Sequence, residues 1–248
     1  MKIVALGGGE IGRAGFSVET LEVDQEILRL TGKKRPKLLF IPTASSDSQG
    51  YVEDIRKHFG STLGCAVDVL YLLNGKTNVK SVETQILGSD IVYVGGGNTL
   101  KMMKIWRRKG INEILKRAAG EGIILSGVSA GGICWFQYGS SDSWRFKNPK
   151  ANLIRVTGLN FIPAIFCPHY NSQKDRNIHI KNLLKRTPGT GIAVDTQCAI
   201  EIIDGEYRII AAKKEANAYK LYWKKGQYFE ELIQKEGKMQ PLSLILEK

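Results

Sequence analysis

The chain has 248 residues, enough for one large core or two small ones, and carries a formal net charge of +12. Apolar residues make up 43% of it, and no run reaches the roughly 18 apolar residues that would suggest a membrane span, so a globular chain with no membrane partner is expected. The four cysteines (Cys65, Cys134, Cys167, Cys198) are scattered with no C-x-x-C pair, which argues against a disulfide framework or a structural zinc site and for a reducing compartment.

The opening stretch MKIVALGGGE has too short an apolar run for a secretory leader, so a cytoplasmic location is expected. A positive surface attracts acidic partners. The basic residues are spread along the chain, however, and the densest clusters, KKRPK and KIWRRKG, read as solvated faces with no nucleic-acid motif beside them. No nucleic-acid partner and no metal are expected.

In chain order, KIVAL reads as a strand, residues near 18–30 have helical spacing, KLLFIP is a second strand, and QGYVEDIRKHFG is a helix closed by Gly60. CAVDVLYLL is a third strand, VETQIL a short helix, and DIVYVGGGN a strand running into glycines. TLKMMKIWRRKGINEILKRAAGEG reads as one helix broken at Gly110 or two in succession, and IILSGVSAGG as a strand ending in a turn. Repeated strand–helix units with buried, non-alternating strands predict an α/β fold, a mainly parallel sheet covered by helices.

Beyond Phe136 the pattern changes. YGSSDSWRFKNPKAN is polar and turn-rich and is expected to be a long loop or small insertion, and FCPHYNSQ precedes a helix near 175–184. TGIAVD, CAIEIID, YRIIAA and AYKLYWKK read as strands, with hairpins at DGEY and around Gly226. No repeat, low-complexity segment or linker divides the chain, so residues 1–248 are expected to form a single domain.

Three glycine-rich turns follow predicted strands, where ligands bind in open parallel sheets. Gly7, Gly9 and Gly12 satisfy G-x-G-x-x-G, but the second strand lacks the terminal acid a nicotinamide ribose requires, so the loop is expected to pack near the pocket rather than hold a dinucleotide. VGGGNTL, residues 94–100, lets backbone N–H groups point at an anion or a developing oxyanion ahead of a helix. GVSAG, residues 127–131, fits the G-x-S-x-G elbow that lifts a serine hydroxyl out of a sharp strand-to-helix turn.

A nucleophilic serine needs a base, and only three histidines exist. His58 reads as the charged end of a surface helix and His179 as a surface or core helix residue. His169, in the loop FCPHYN, stands where a pocket histidine would. Cys134 lies about one and a half turns past Ser129, away from the elbow.

Together, VGGGNTL, GVSAGG and PHYN resemble the aspartyl dipeptidase (peptidase E) and cyanophycinase family of serine peptidases, over most of the chain except the last forty residues. The resemblance implies a three-layer α/β sandwich of the class I glutamine amidotransferase-like, flavodoxin-type kind. It also implies a cofactor-free peptidase acting on short peptides, as a monomer or small homo-oligomer. Ser129 matches the family nucleophile, His169 the base, Gly97 and Ala130 the oxyanion donors, and Asn98 a pocket residue. Arg176 resembles the arginine that grips an acidic substrate side chain, which a fixed guanidinium fork suits. The family's histidine-orienting glutamate falls on Thr196, leaving Asp195, Asp142 or the Thr196 hydroxyl as candidates. Three rival readings are a catalytically impaired binding protein on this scaffold, an amidotransferase-like enzyme using Cys134, and a nucleotide-binding oxidoreductase resting on Gly7 to Gly12.

Overall fold

A computed structural model describes residues 1–73 and 78–248. The first half alternates strand and helix: β1 (Lys2–Leu6), α1 (Leu21–Arg29), β2 (Lys37–Ile41), α2 (Gln49–Ile55), β3 (Ala66–Val69), α3 (Val79–Leu87), β4 (Ile91–Val94), α4 (Thr99–Arg108), α5 (Ile111–Gly120) and β5 (Ile124–Val128). β4 and β5 are buried along their whole length, which is why they read as unbroken apolar runs. Asn78 and Asn98 cap α3 and α4 through their side-chain oxygens. Gly110 takes a left-handed φ of 69° and separates α4 from α5, at the expected break.

The second half runs α6 (Ala130–Ile133), β6 (Phe136–Ser141), β7 (Ile154–Thr157), β8 (Ile162–Cys167), α7 (Arg176–Arg186), β9 (Gly191–Val194), β10 (Cys198–Ile203), β11 (Glu206–Ala211), β12 (Ala218–Lys224), β13 (Gln227–Ile233), β14 (Gln240–Pro241) and α8 (Ser243–Leu246). The segment expected to be a loop after Phe136 begins instead as β6, and only residues beyond Ser141 form turns. Two buried serines, Ser140 and Ser141, made a buried strand look polar.

Among the described residues the strands form two mixed sheets rather than one mainly parallel sheet. The larger has the order β14-β11-β10-β1-β5-β4-β2-β3 and the smaller β13-β12-β9-β8-β6-β7. β1, β5, β4, β2 and β3 run parallel, whereas β10 joins β1 antiparallel, Lys2 opposite Ile203. Both expected hairpins form, with positive φ at Asp204–Gly205 and Lys225–Gly226. No helix among the described residues is long and apolar enough to cross a membrane.

Because β1, β5 and β4 are neighbours and parallel, the three glycine turns that follow them emerge side by side at one sheet edge. Ser129 N–H donates to Leu6 O at 3.0 Å and ties the turn after β5 to the end of β1. A Cβ at Gly131 would lie 2.0 Å from Val94 O, and one at Gly127 2.7 Å from the same oxygen. The turn therefore seats directly on β4, an approach only glycine permits.

His58 departs from expectation. It is buried, and its Nε2 lies 2.7 Å from Asp24 Oδ2, which also accepts the Thr20 hydroxyl at 2.6 Å. α2 widens into a π-helical turn over Arg56–Thr62. The extra residue per turn shifts the helical phase and brings a surface-reading position inward. Burial pushes the Asp24 carboxyl above its usual range, and Asp24 Oδ1 has no hydrogen-bond partner among the described residues. His58→Ala would leave that carboxylate buried without its imidazole, so a loss of about 3–5 kcal/mol is expected in urea denaturation at neutral pH.

Candidate active site

Ser129 sits between β5 and α6 at φ 55° and ψ −104°, a backbone conformation that non-glycine residues rarely adopt. The strain lifts its hydroxyl clear of the turn, and Oγ lies 2.8 Å from Nε2 of His169. His169 follows β8 of the smaller sheet and also has a positive φ, 55°. Its N–H donates to Gly7 O at 3.0 Å, so the loop after β1 joins the two sheets at the site. A Cβ at Gly8 would stand 2.6 Å from His169 Nδ1. The glycine loop at residues 7–12 thus makes room for the imidazole.

The other ring nitrogen, Nδ1, faces the Thr196 hydroxyl at 3.4 Å, and Thr196 Oγ1 lies 3.1 Å from Ser172 Oγ. Asn171 Oδ1 accepts Thr196 N–H at 3.0 Å and fixes that turn. Asp195, the other candidate to orient the ring, pairs with Asn217: its Oδ2 accepts the Asn217 N–H at 2.9 Å, and its N–H donates to Asn217 O. Pairing of β9 with β12 draws this carboxyl toward Asn217 and leaves the neutral hydroxyl of Thr196 at the ring.

Gly97 has φ 134°, and a Cβ there would lie 2.4 Å from Ala44 O. Neither Gly97 N nor Ala130 N donates to a protein acceptor among the described residues. Asn98 sits next to Gly97, but its side chain is spent within the fold: Oδ1 accepts Lys101 N–H and Nδ2 donates to Ser143 O, both at 2.9 Å. Asn98 is the cap of α4, and its amide also straps down the loop after β6.

Arg176, expected to grip a substrate side chain, is drawn into the fold. It is 1% exposed, with Nε donating to Gln173 Oε1 at 2.7 Å and Nη1 donating to Ser140 O. Its Nη2 lies 3.8 Å from Asp142 Oδ2. Seated at the start of α7 against β6, the guanidinium supports the site from within instead of presenting its fork to a ligand. Cys134 is buried with its thiol donating to Gly131 O, and burial holds its pKa well above the usual thiol range. Neither geometry nor acidity suits it to attack.

Ser129, His169, Gly96, Gly97 and Asp142 line one cavity of about 680 Å³, together with side chains the sequence did not single out: Glu10, Arg13, Tyr51, Asp54 and Phe146. Tyr51 packs edge-on against Phe40 at 5.1 Å, and its hydroxyl accepts Gly96 N–H at 3.4 Å. Burial pushes the Tyr51 pKa up to about 12, which keeps the phenol neutral. No motif marks these residues. Only their position on α2, on the loop after β1 and, for Phe146, on the turns after β6 brings them in.

A strained serine hydroxyl hydrogen-bonded to an imidazole at the strand ends of an α/β protein is the arrangement of a hydrolase site. Comparison with known proteins gives the class a family. Residues 3–210 match the model for peptidase family S51. An uncharacterized peptidase, YgaJ, of Bacillus subtilis (strain 168) is 34% identical over 224 residues, covering 89% of this chain and 91% of its own. Peptidase E of Nostoc sp. (strain PCC 7120 / SAG 25.82 / UTEX 2576) is 27% identical, covering 83% and 84%. The crystal structure of a peptidase from an acI-B1 Actinobacterium superposes with a TM-score of 0.70 at 19% identity, over 97% of this chain and 96% of that one. The chain belongs to peptidase family S51 and is a serine-type peptidase.

Burial, and next the charge of Arg176, pull the His169 pKa down to about 4, against a smaller upward pull from Asp142. A base is active when neutral, so depression of its pKa extends activity toward acid. The acid limb of kcat/KM, which reports the free enzyme, is expected to have its midpoint near pH 4. A pH–rate profile checks this, and a midpoint near the ordinary histidine value of about 6.5 would contradict it.

Proposed function

We propose that residues 1–248 act as one domain of the class I glutamine amidotransferase-like, flavodoxin-type architecture, and that it hydrolyses short peptides through an acyl-enzyme on Ser129. The observation that carries this reading is the 2.8 Å contact between Ser129 Oγ and His169 Nε2 at a strained turn. His169 Nε2 takes the serine proton as Oγ attacks the scissile carbonyl carbon. The N–H groups of Gly97 and Ala130 receive the carbonyl oxygen as it becomes an oxyanion. His169 then gives the proton to the leaving amine. Water, deprotonated by the same nitrogen, releases the acid and restores Ser129.

Thr196 holds the third place, where a carboxylate would both fix the tautomer and stabilise the imidazolium. A neutral hydroxyl at 3.4 Å supports only the first of these. The acyl-transfer step is therefore slower than in a complete Ser-His-acid site. An acidic N-terminal specificity loses its support with the burial of Arg176.

A serine-directed fluorophosphonate is expected to label the wild type at Ser129, and Ser129→Ala to lose both labelling and peptide cleavage. Cleavage by that variant at the wild-type rate would sink the mechanism. Absence of labelling in the wild type would favour a binding protein on the same scaffold. Thr196→Val removes one neutral hydrogen bond of about 1 kcal/mol, so a five- to tenfold fall in labelling rate and kcat is expected. An unchanged rate would show that Thr196 does not orient the ring.

A further inference from the structure

The charges around the cavity point to a substrate of the opposite sign from the one Arg176 suggested. Four ionisable side chains other than His169 and Tyr51 line it: Glu10, Arg13, Asp54 and Asp142. Arg13 is the single base among them, and it is already claimed. Its Nε donates to one Glu10 oxygen at 2.7 Å and its Nη2 to the other, so this pair adds little net charge. Asp142 has the buried guanidinium of Arg176 behind it at 3.8 Å.

Asp54 is different. It lies one turn beyond Tyr51 on α2, on the same helix face, and has no hydrogen bond or ion pair among the described residues. Half-buried, it feels the charge of Arg13 but makes no ion pair with it, and its carboxylate stands without a direct partner at the wall of the cavity that holds Ser129 and His169. Tyr51, Phe146 and Ile11 supply apolar and aromatic wall beside it. Such a lining accommodates the alkyl stem of a basic side chain and attracts its head by charge and by the ring faces. An acidic side chain would meet three carboxylates and no free base.

From this, and resting on the peptidase reading above, we infer that the cavity selects peptides bearing a cationic group, with Asp54 as the specificity-determining carboxylate. The cation is an ammonium or guanidinium, from either the peptide's free N-terminus or a lysine or arginine side chain. Specificity of this kind appears as a ratio of kcat/KM values.

The experiment measures kcat/KM on matched short peptides that differ at one side chain (Lys, norleucine or Asp), each with a free and an acetylated N-terminus. The enzymes are the wild type, Asp54→Asn and Asp54→Lys. The wild type is expected to favour a cationic over a neutral peptide by about tenfold or more, with the Asp peptides slowest. Asp54→Asn collapses that ratio to within about twofold, and Asp54→Lys reverses the order of Lys and Asp peptides, which a merely structural role would not do. Loss of the preference on acetylation assigns the cation to the N-terminus, and its survival assigns it to the side chain.

Equal or faster cleavage of Asp peptides by the wild type, or a ratio indifferent to Asp54→Asn, overturns the inference. Fluorophosphonate labelling of Ser129 in the same preparations reports separately on the peptidase reading. Labelled enzyme without charge preference rejects this inference alone. Should neither labelling nor cleavage occur, the peptidase reading fails, and calorimetric binding of the same peptides decides the charge question. Tighter binding of the Lys peptide that weakens in Asp54→Asn then upholds the inference, and equal or tighter binding of the Asp peptide rejects it.

Discussion

The site depends on one backbone constraint: Ser129 is held at φ 55° and ψ −104° by a turn packed onto β4. A serine in that region costs on the order of 1–3 kcal/mol. The cost is met by neighbours that leave no alternative. Gly131 and Gly127 lie against Val94 O, Leu6 O receives the Ser129 N–H, and α6 begins at once with Ala130 buried. The buried parallel run of β1, β5 and β4 fixes where those oxygens are, so the core of the larger sheet aims the hydroxyl. His169 meets it from the other sheet under a similar constraint, with its own φ positive and its N–H on Gly7 O. Two strained residues on two sheets meet at 2.8 Å because the loop after β1 touches both.

The environment of His169 sets the character of the chemistry. Burial and the Arg176 charge favour the neutral ring, while Asp142 alone among the nearby charges opposes them. A neutral ring is the right form to accept a proton, but a low pKa also makes it a weak acceptor, and Thr196 offers no charge to stabilise the product imidazolium. The compensation lies in the reaction itself. In the mechanism we propose, a negative oxygen forms at the Gly97 and Ala130 N–H groups as the serine adds, while the ring becomes positive. The ion pair created in the transition state therefore supplies part of the stabilisation that a fixed carboxylate would give in advance.

The parts of this arrangement legible in the sequence were those dictated by local backbone sterics. G-x-S-x-G, the glycines of VGGGNTL and the helix break at Gly110 each announce a conformation that few other residues tolerate, and the structure has all three. His169 was found by elimination among three histidines. What remained hidden was decided by tertiary partners. Asp195 and Thr196 are adjacent, and no local signal says which one faces the ring. The pairing of β9 with β12, which places Asp195 on Asn217, decides it. Arg176 has the composition of a ligand-binding residue and the burial of a structural one. β6 was obscured because its serines are buried in hydrogen-bonded company rather than exposed. Likewise, the π-helical turn moved His58 from an apparent surface to the interior.

Charge gives the sharpest case of a whole-chain property failing at a site. The net +12 is a sum over 248 positions, and at physiological salt a charge is felt over only about 8 Å of solvent. The field near Ser129 is therefore set by the few groups close to it: Arg176, buried behind Asp142, and the cavity wall, where acids outnumber bases and Arg13 is bound to Glu10. The basic exterior acts at longer range and lower strength, on encounter rather than on fit. Selection at the cavity follows the near field, because only there are charges partly shielded from water and fixed in direction. A chain can thus be strongly basic in sum and still offer an acidic mouth to its substrate, and the sign of its total charge carries no information about the sign of its specificity.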